Sequence, residues 1–292
     1  MAKRRQGERS ERRVRRDKSS ARQAEAVRAG GRRVRWRWYV WMLAVLVVVG
    51  MGIGYAVSQR SGGVPGVVVP DGLDELDPQF RDVATRYIAW AQEAPLDADR
   101  RAGLGLVYAA NRLWPEAKAC FEAATRLDGG NVLARYYTAL ALRELDDAAG
   151  AVVVLRGIVD EHPEFAPALY RLGDAWLATG SLSDATSAFR RAVALAPDAV
   201  AGYVGLGDAL LRSGDAAGAA AQLEHAIELQ AGARQAHYLL GLAYRALGRM
   251  DAARRELSSG AGAVKVYLPD AWSDRLREHA VGVADQIGLA LD

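Results

Sequence analysis

Two aspartates, Asp174 and Asp208, stand 34 residues apart, and carboxylates brought together by a repeating fold could share a proton as an acid–base pair. Four histidines (His162, His225, His237 and His279) and a lone cysteine, Cys120, are the other residues with the chemistry to hold a soft metal or attack an electrophile. The histidines keep no common spacing, so they do not form a ligand set. A single cysteine excludes an internal disulfide and a cysteine-based metal cage. No lysine follows a glycine run that could cradle phosphate, and Cys-x-x-Cys-His, Gly-x-Ser-x-Gly and His-Glu-x-x-His are absent. Asp174 and Asp208 therefore read as solvated carboxylates, and Cys120, between Ala119 and Phe121, as a small packed thiol. No enzyme activity, cofactor or metal is expected.

The 34-residue spacing of the two aspartates belongs to a larger pattern. Sliding the chain by 34 residues aligns five copies without an insertion: 98–131, 132–165, 166–199, 200–233 and 234–267. At one phase stand Gly105, Ala139, Gly173, Gly207 and Gly241, and twelve residues later Ala117, Ala151, Ala185, Ala219 and Ala253. Four residues beyond the alanines come Phe121, Leu155, Phe189, Leu223 and Leu257. Each copy reads as two amphipathic helices around a turn. Gly173 sits inside the first helix of "LYRLGDAWLATG", where glycine costs about 1 kcal/mol relative to alanine. A packing role explains it: if the small residue of the first helix faces the alanine of the second, the two backbones approach closely and the bulky residues interlock around that contact. Gly180, Gly214 and Gly248 are read as ending first helices in a left-handed conformation, and Pro115 as a first-turn proline.

These residues resemble the tetratricopeptide repeat, whose Trp-x2-Leu-Gly-x2-Tyr, Ala-x3-Phe, Pro signature is matched by Leu172, Gly173, Trp176, Ala185, Phe189 and Pro197. The resemblance implies an all-α, right-handed solenoid of about five helix-turn-helix repeats with capping helices at both ends. The second repeat departs at Thr138 and Ala139, and the fifth decays after Leu257. In this family the first helices line a concave groove. The corresponding phases here carry Tyr136, Tyr170 and Tyr238, then Leu140, Asp174, Asp208 and Leu242, then Arg143, Leu177, Leu211 and Arg245. Tyrosine and arginine beside leucine make a protein-recognition surface, so the expected occupant is a protein or peptide. The three tyrosines are expected to face that partner and to contribute little to packing between helices. The asparagine and lysine set that clamps a terminal carboxylate in some members is absent.

Outside the repeats the chain is asymmetric. Of the 292 residues, 1–37 hold 15 Lys or Arg against four acids, so a net charge of +3 conceals a basic tail on an acidic body. Residues 38–57, "WYVWMLAVLVVVGMGIGYAV", are twenty uncharged residues with aromatics at both ends, which reads as a transmembrane helix. The arginines before it predict a cytoplasmic tail in contact with anionic lipid headgroups, an inner-membrane anchor and an extracytoplasmic body. Gly50 and Gly54 form a small-xxx-small pair through which two anchors could pack. Residues 58–73 read as a linker, 74–97 as a capping half-repeat and 268–292 as a C-terminal capping helix. The expected function is a membrane-anchored binding scaffold, with an envelope-complex assembly factor as its natural setting. The alternatives are a soluble exported chaperone cleaved near Ala56–Ser58, and an adaptor whose basic tail holds nucleic acid or lipid.

Overall fold

Eleven α-helices follow one another with short turns in the computed structural model, which describes residues 66–265, 267 and 268. All of these belong to the second of two units into which the chain divides, Val64–Asp292. The basic tail, the apolar segment 38–57 with Gly50 and Gly54, and the cap expected beyond Leu268 lie outside the described residues. Among the described residues no helix is long and apolar enough to cross a membrane, and there is no strand.

A single 3-10 turn, Leu73–Glu75, precedes α1 (Pro78–Glu93). The five first helices are α2 (Ala98–Ala110), α4 (Val132–Glu144), α6 (Ala166–Thr179), α8 (Val200–Arg212) and α10 (Arg234–Ala246). The five second helices are α3 (Trp114–Leu127), α5 (Ala148–Glu161), α7 (Leu182–Leu195), α9 (Ala216–Leu229) and α11 (Met250–Ser259). Each series starts every 34 residues without slippage. Local chemistry sets these starts: the side chains of Asp77, Asp97, Asn131, Asp147 and Asp215 accept hydrogen bonds from the first-turn N–H groups of their helices, which would otherwise be orphaned.

The turn inside each pair is the same five times. Gly180, Gly214 and Gly248 have φ of 80°, 90° and 76°, and the equivalent Arg112 and Asp146 have φ of 64° and 61°. The left-handed turn is therefore imposed by the repeat rather than by glycine, at a cost to the two non-glycine residues of about 1–2 kcal/mol each.

Each helix packs on its neighbours in sequence, and the first helices also meet one another, α4 with α6, α6 with α8, and α8 with α10. The row of first helices therefore forms the inner side of the stack. The contact within a pair differs from the sequence expectation. A Cβ on Gly105 would fall 2.6 Å from the Phe121 ring, one on Gly173 2.9 Å from Phe189, and those on Gly207 and Gly241 2.6 and 2.7 Å from Leu223 and Leu257. The glycine faces the bulky residue of the second helix, not the alanine one turn earlier. That alanine is buried separately in the core. Phe189 is held twice over, because the next repeat also brings Gly205 against the ring, where a Cβ would lie 2.5 Å from it.

Both ends of the described stack depart from a plain repeat. Part of the segment read as a linker lies on α2: Arg101, almost fully buried, donates through Nη1 to the Gly66 carbonyl at 2.8 Å, and the Tyr108 hydroxyl donates to the Val68 carbonyl at 2.8 Å. At the far end α11 stops at Ser259, and Gly262, with φ of 72°, redirects the chain. By the repeat period the second helix would run to 263; it ends four residues earlier, at Ser259, just after the sequence pattern decays at Leu257. His237 ties α10 to α11, with Nδ1 2.6 Å from the Glu256 carboxylate and Nε2 2.9 Å from the Ala231 carbonyl. Burial opposes its charge, but two acceptors on one ring outweigh that and raise its pKa.

Replacing Gly205 with leucine should force the Phe189 ring aside and cost roughly 1–3 kcal/mol, read as a lower Tm. The Gly205→Leu/Phe189→Ala double variant should lose less than the sum of the two single losses, because the new side chain fills the space left by the ring. Strict additivity would show that the ring does not lie on Gly205.

Candidate peptide-binding groove

The residues expected along the groove fall into two groups. At α4 and α6 the row is closed: Tyr136, Leu140, Tyr170, Asp174 and Leu177 are all buried. At α8 and α10 it is more open, with Asp208, Leu211 and Leu242 half-buried and Tyr238 and Arg245 exposed. The tyrosines are thus not one uniform wall. Tyr136 packs its ring 5.4 Å from that of Phe165, the last residue before α6. Tyr170 meets Phe189 edge-on at 5.5 Å. Burial drives the Tyr170 hydroxyl pKa well above the ordinary tyrosine value. Only Tyr238 of the three is exposed, at 44%.

Tyr170 and Asp174 have cover from outside the repeat. After Gly262 the chain returns to α6, where the Lys265 ammonium reaches the Asp174 carboxylate across 91 residues of sequence. The Tyr267 ring lies 4.1 Å from the guanidinium carbon of Arg171 and meets Tyr170 edge-on at 6.4 Å. Lys265 Nζ sits 5.3 Å from the same ring, and Leu268 is buried. Arg143 Nη2 lies 3.5 Å from the second oxygen of Asp174. Asp174 is therefore a recessed anion between two cations on different elements, a geometry that screening by salt weakens little. Against the next turn of the chain, Tyr267, Leu195, Pro197, Val200, Ala201 and Gln230 line a cavity of about 590 Å³.

The two aspartates are not an acid pair. Asp208 has its own partner, Arg212, with two hydrogen bonds of 2.8 and 3.0 Å. Cys120 is fully buried, and burial pushes its thiol up to about 12, so it is protonated at neutral pH and unreactive. Among the described residues no group of three or more His, Cys, Asp or Glu could hold a metal ion. The repeat phases do not point to Arg171, Lys265 or Tyr267. One signal could have found Lys265: Lys118 and Lys265 are the only lysines beyond residue 37 in an arginine-rich chain.

Because Tyr170 packs on both α7 and the returning chain, truncation to alanine should cost about 3–5 kcal/mol and lower the Tm markedly, contrary to the behaviour of a solvent-facing groove residue. A Tyr170→Ala protein with an unchanged Tm would show that the ring is not buried.

Two tetratricopeptide repeat family models match the chain, one over 102–164 and 204–263 and the other over 142–206. Together they cover 102–263 without a gap, more than half of its length. Among solved structures, the chain is similar to YrrB, described as a TPR protein with an unusual peptide-binding site, at 19% identity and TM-score 0.51, over 61% of this chain and 91% of that one. It is also similar to MamA, at 20% identity and TM-score 0.48 over 72% and 98%. A third is TTC0263, a thermophilic TPR protein of Thermus thermophilus, at 19% and 0.48 over 62% and 98%. No curated protein matches the sequence. The likeness to YrrB is one of fold. The 34-residue register, the helix pairs and the matched family models lead to one conclusion: the chain belongs to the tetratricopeptide repeat family.

Proposed function

We propose that this protein is a non-catalytic scaffold that binds an extended segment of a partner protein along the inner row of first helices, while residues 38–57 anchor it in the membrane with the repeats on the extracytoplasmic side. The observation that carries the binding reading is the seating of a non-helical stretch of chain on α6 through Lys265 and Tyr267. That surface holds a peptide by the means that work at recognition sites generally: one recessed charge for register and aromatic contact for area. Family membership supports the same reading, as does the peptide-binding site ascribed to YrrB. The anchor rests on the twenty uncharged residues and the arginines before them.

The groove is tested by a photo-crosslinking residue placed either at Tyr238, exposed on the inner row, or at Arg190, exposed on α7. In native membranes the Tyr238 probe should capture a partner that the Arg190 probe does not. Equal capture at both would remove the groove as the binding surface.

Topology has its own measurement. Protease added outside spheroplasts should digest the repeats and leave residues 1–37 protected; survival of the repeats would place them on the cytoplasmic side.

A further inference from the structure

The same returning chain has a second consequence, which rests on the peptide-binding reading above. We infer that the stretch carrying Lys265, Tyr267 and Leu268 is an internal ligand: it occupies the groove of the isolated protein and is displaced by a partner peptide of like chemistry, a cation, one spacer residue, an aromatic and an apolar residue. Four observations on one surface carry this. The Asp174 carboxylate, with its side chain only 8% exposed, takes the Lys265 ammonium while Arg143 holds its other oxygen. Arg171 presents its guanidinium to the Tyr267 ring, and Tyr170 closes one edge of that ring. The spacing of two between Lys265 and Tyr267 suits an extended chain, in which alternate side chains point the same way. Finally, these contacts are made by residues that follow α11 (Met250–Ser259), in a stretch that is not helical among the described residues.

The Lys265 ammonium is a compact charge on a flexible four-carbon stem, which lets it reach the recessed Asp174 carboxylate from a non-helical stretch. The Lys265 side chain is itself 40% exposed, so the contact opens to solvent and an incoming cation can replace it. Occupancy by the internal stretch lowers the apparent affinity for any competing peptide by the fraction of molecules in which the groove is open. The partner therefore competes with a segment of this chain before it binds.

The test uses the full chain and a fluorescent synthetic peptide, Ala-Val-Lys-Val-Tyr-Leu-Pro, the sequence of residues 263–269, with binding read by anisotropy. The Lys265→Glu/Tyr267→Ala chain should bind the peptide at least tenfold more tightly than the unmodified chain, and a peptide with glutamate in place of its lysine should bind neither. Lys265→Ala alone, at a half-exposed side chain, keeps the helices and should shift affinity in the same direction. Equal affinity for the unmodified and altered chains would overturn the internal-ligand inference and leave the groove reading standing. Binding to neither, with helicity and Tm intact, would overturn the groove reading at this site and the inference with it.

Discussion

The stack of helix pairs depends on how close two helices of a pair can come. In four of five repeats a glycine in the first helix lies under a phenylalanine or leucine of the second, at distances that leave no room for a methyl group. Dispersion contacts and burial reward the approach, and the close contact sets the crossing of the pair. Because the same contact recurs every 34 residues, the first helices line up as one row and their outward phases converge on one surface. At Phe189 the next repeat joins the same contact through Gly205, so the geometry of a pair and the geometry between pairs are enforced by a single ring.

The architecture was legible because its signals are local and periodic. Five copies in register predict the ten helix starts, and turn glycines at 180, 214 and 248 mark three of five left-handed turns. Arg112 and Asp146 hide the other two, since neither residue type advertises a positive φ. The partner of the repeat glycine is the bulky residue and not the expected alanine, because residues twelve and sixteen after the glycine lie on the same face of the second helix, one turn apart, and periodicity does not say which one it meets. Phase identifies the face that carries the groove residues but not what lies on it. Phe165 covers Tyr136, and Tyr267 covers Tyr170. The latter cover comes from a stretch that the period had assigned to the fifth repeat.

The site also shows how charge is distributed within a mostly alanine and leucine framework. Asp174 and Asp208 occupy equivalent positions, yet one is buried between cations from other elements and the other, half-buried, is paired four residues along its own helix. An equivalent phase thus yields unlike electrostatics once sequence-distant chain is added. Local differences of this kind are laid over a repeated scaffold that does not itself dictate them.

A repeat stack is ordinarily a one-dimensional object, in which each unit touches its neighbours and stability is a sum of near terms. The link from Lys265 to Asp174 breaks that rule. It joins the third repeat to the non-helical end of the fifth and so closes a loop of about ninety residues, whose entropic cost grows only slowly with length. Such a closure makes the last two repeats and the third answer to one another although they are not all adjacent. Fraying of α11 would loosen a contact on α6, and stiffening of α6 would hold the end of the stack in place. Mechanical linkage of this kind turns an open-ended array into a ring of dependencies, and gives the C-terminal repeats a say in events at the centre.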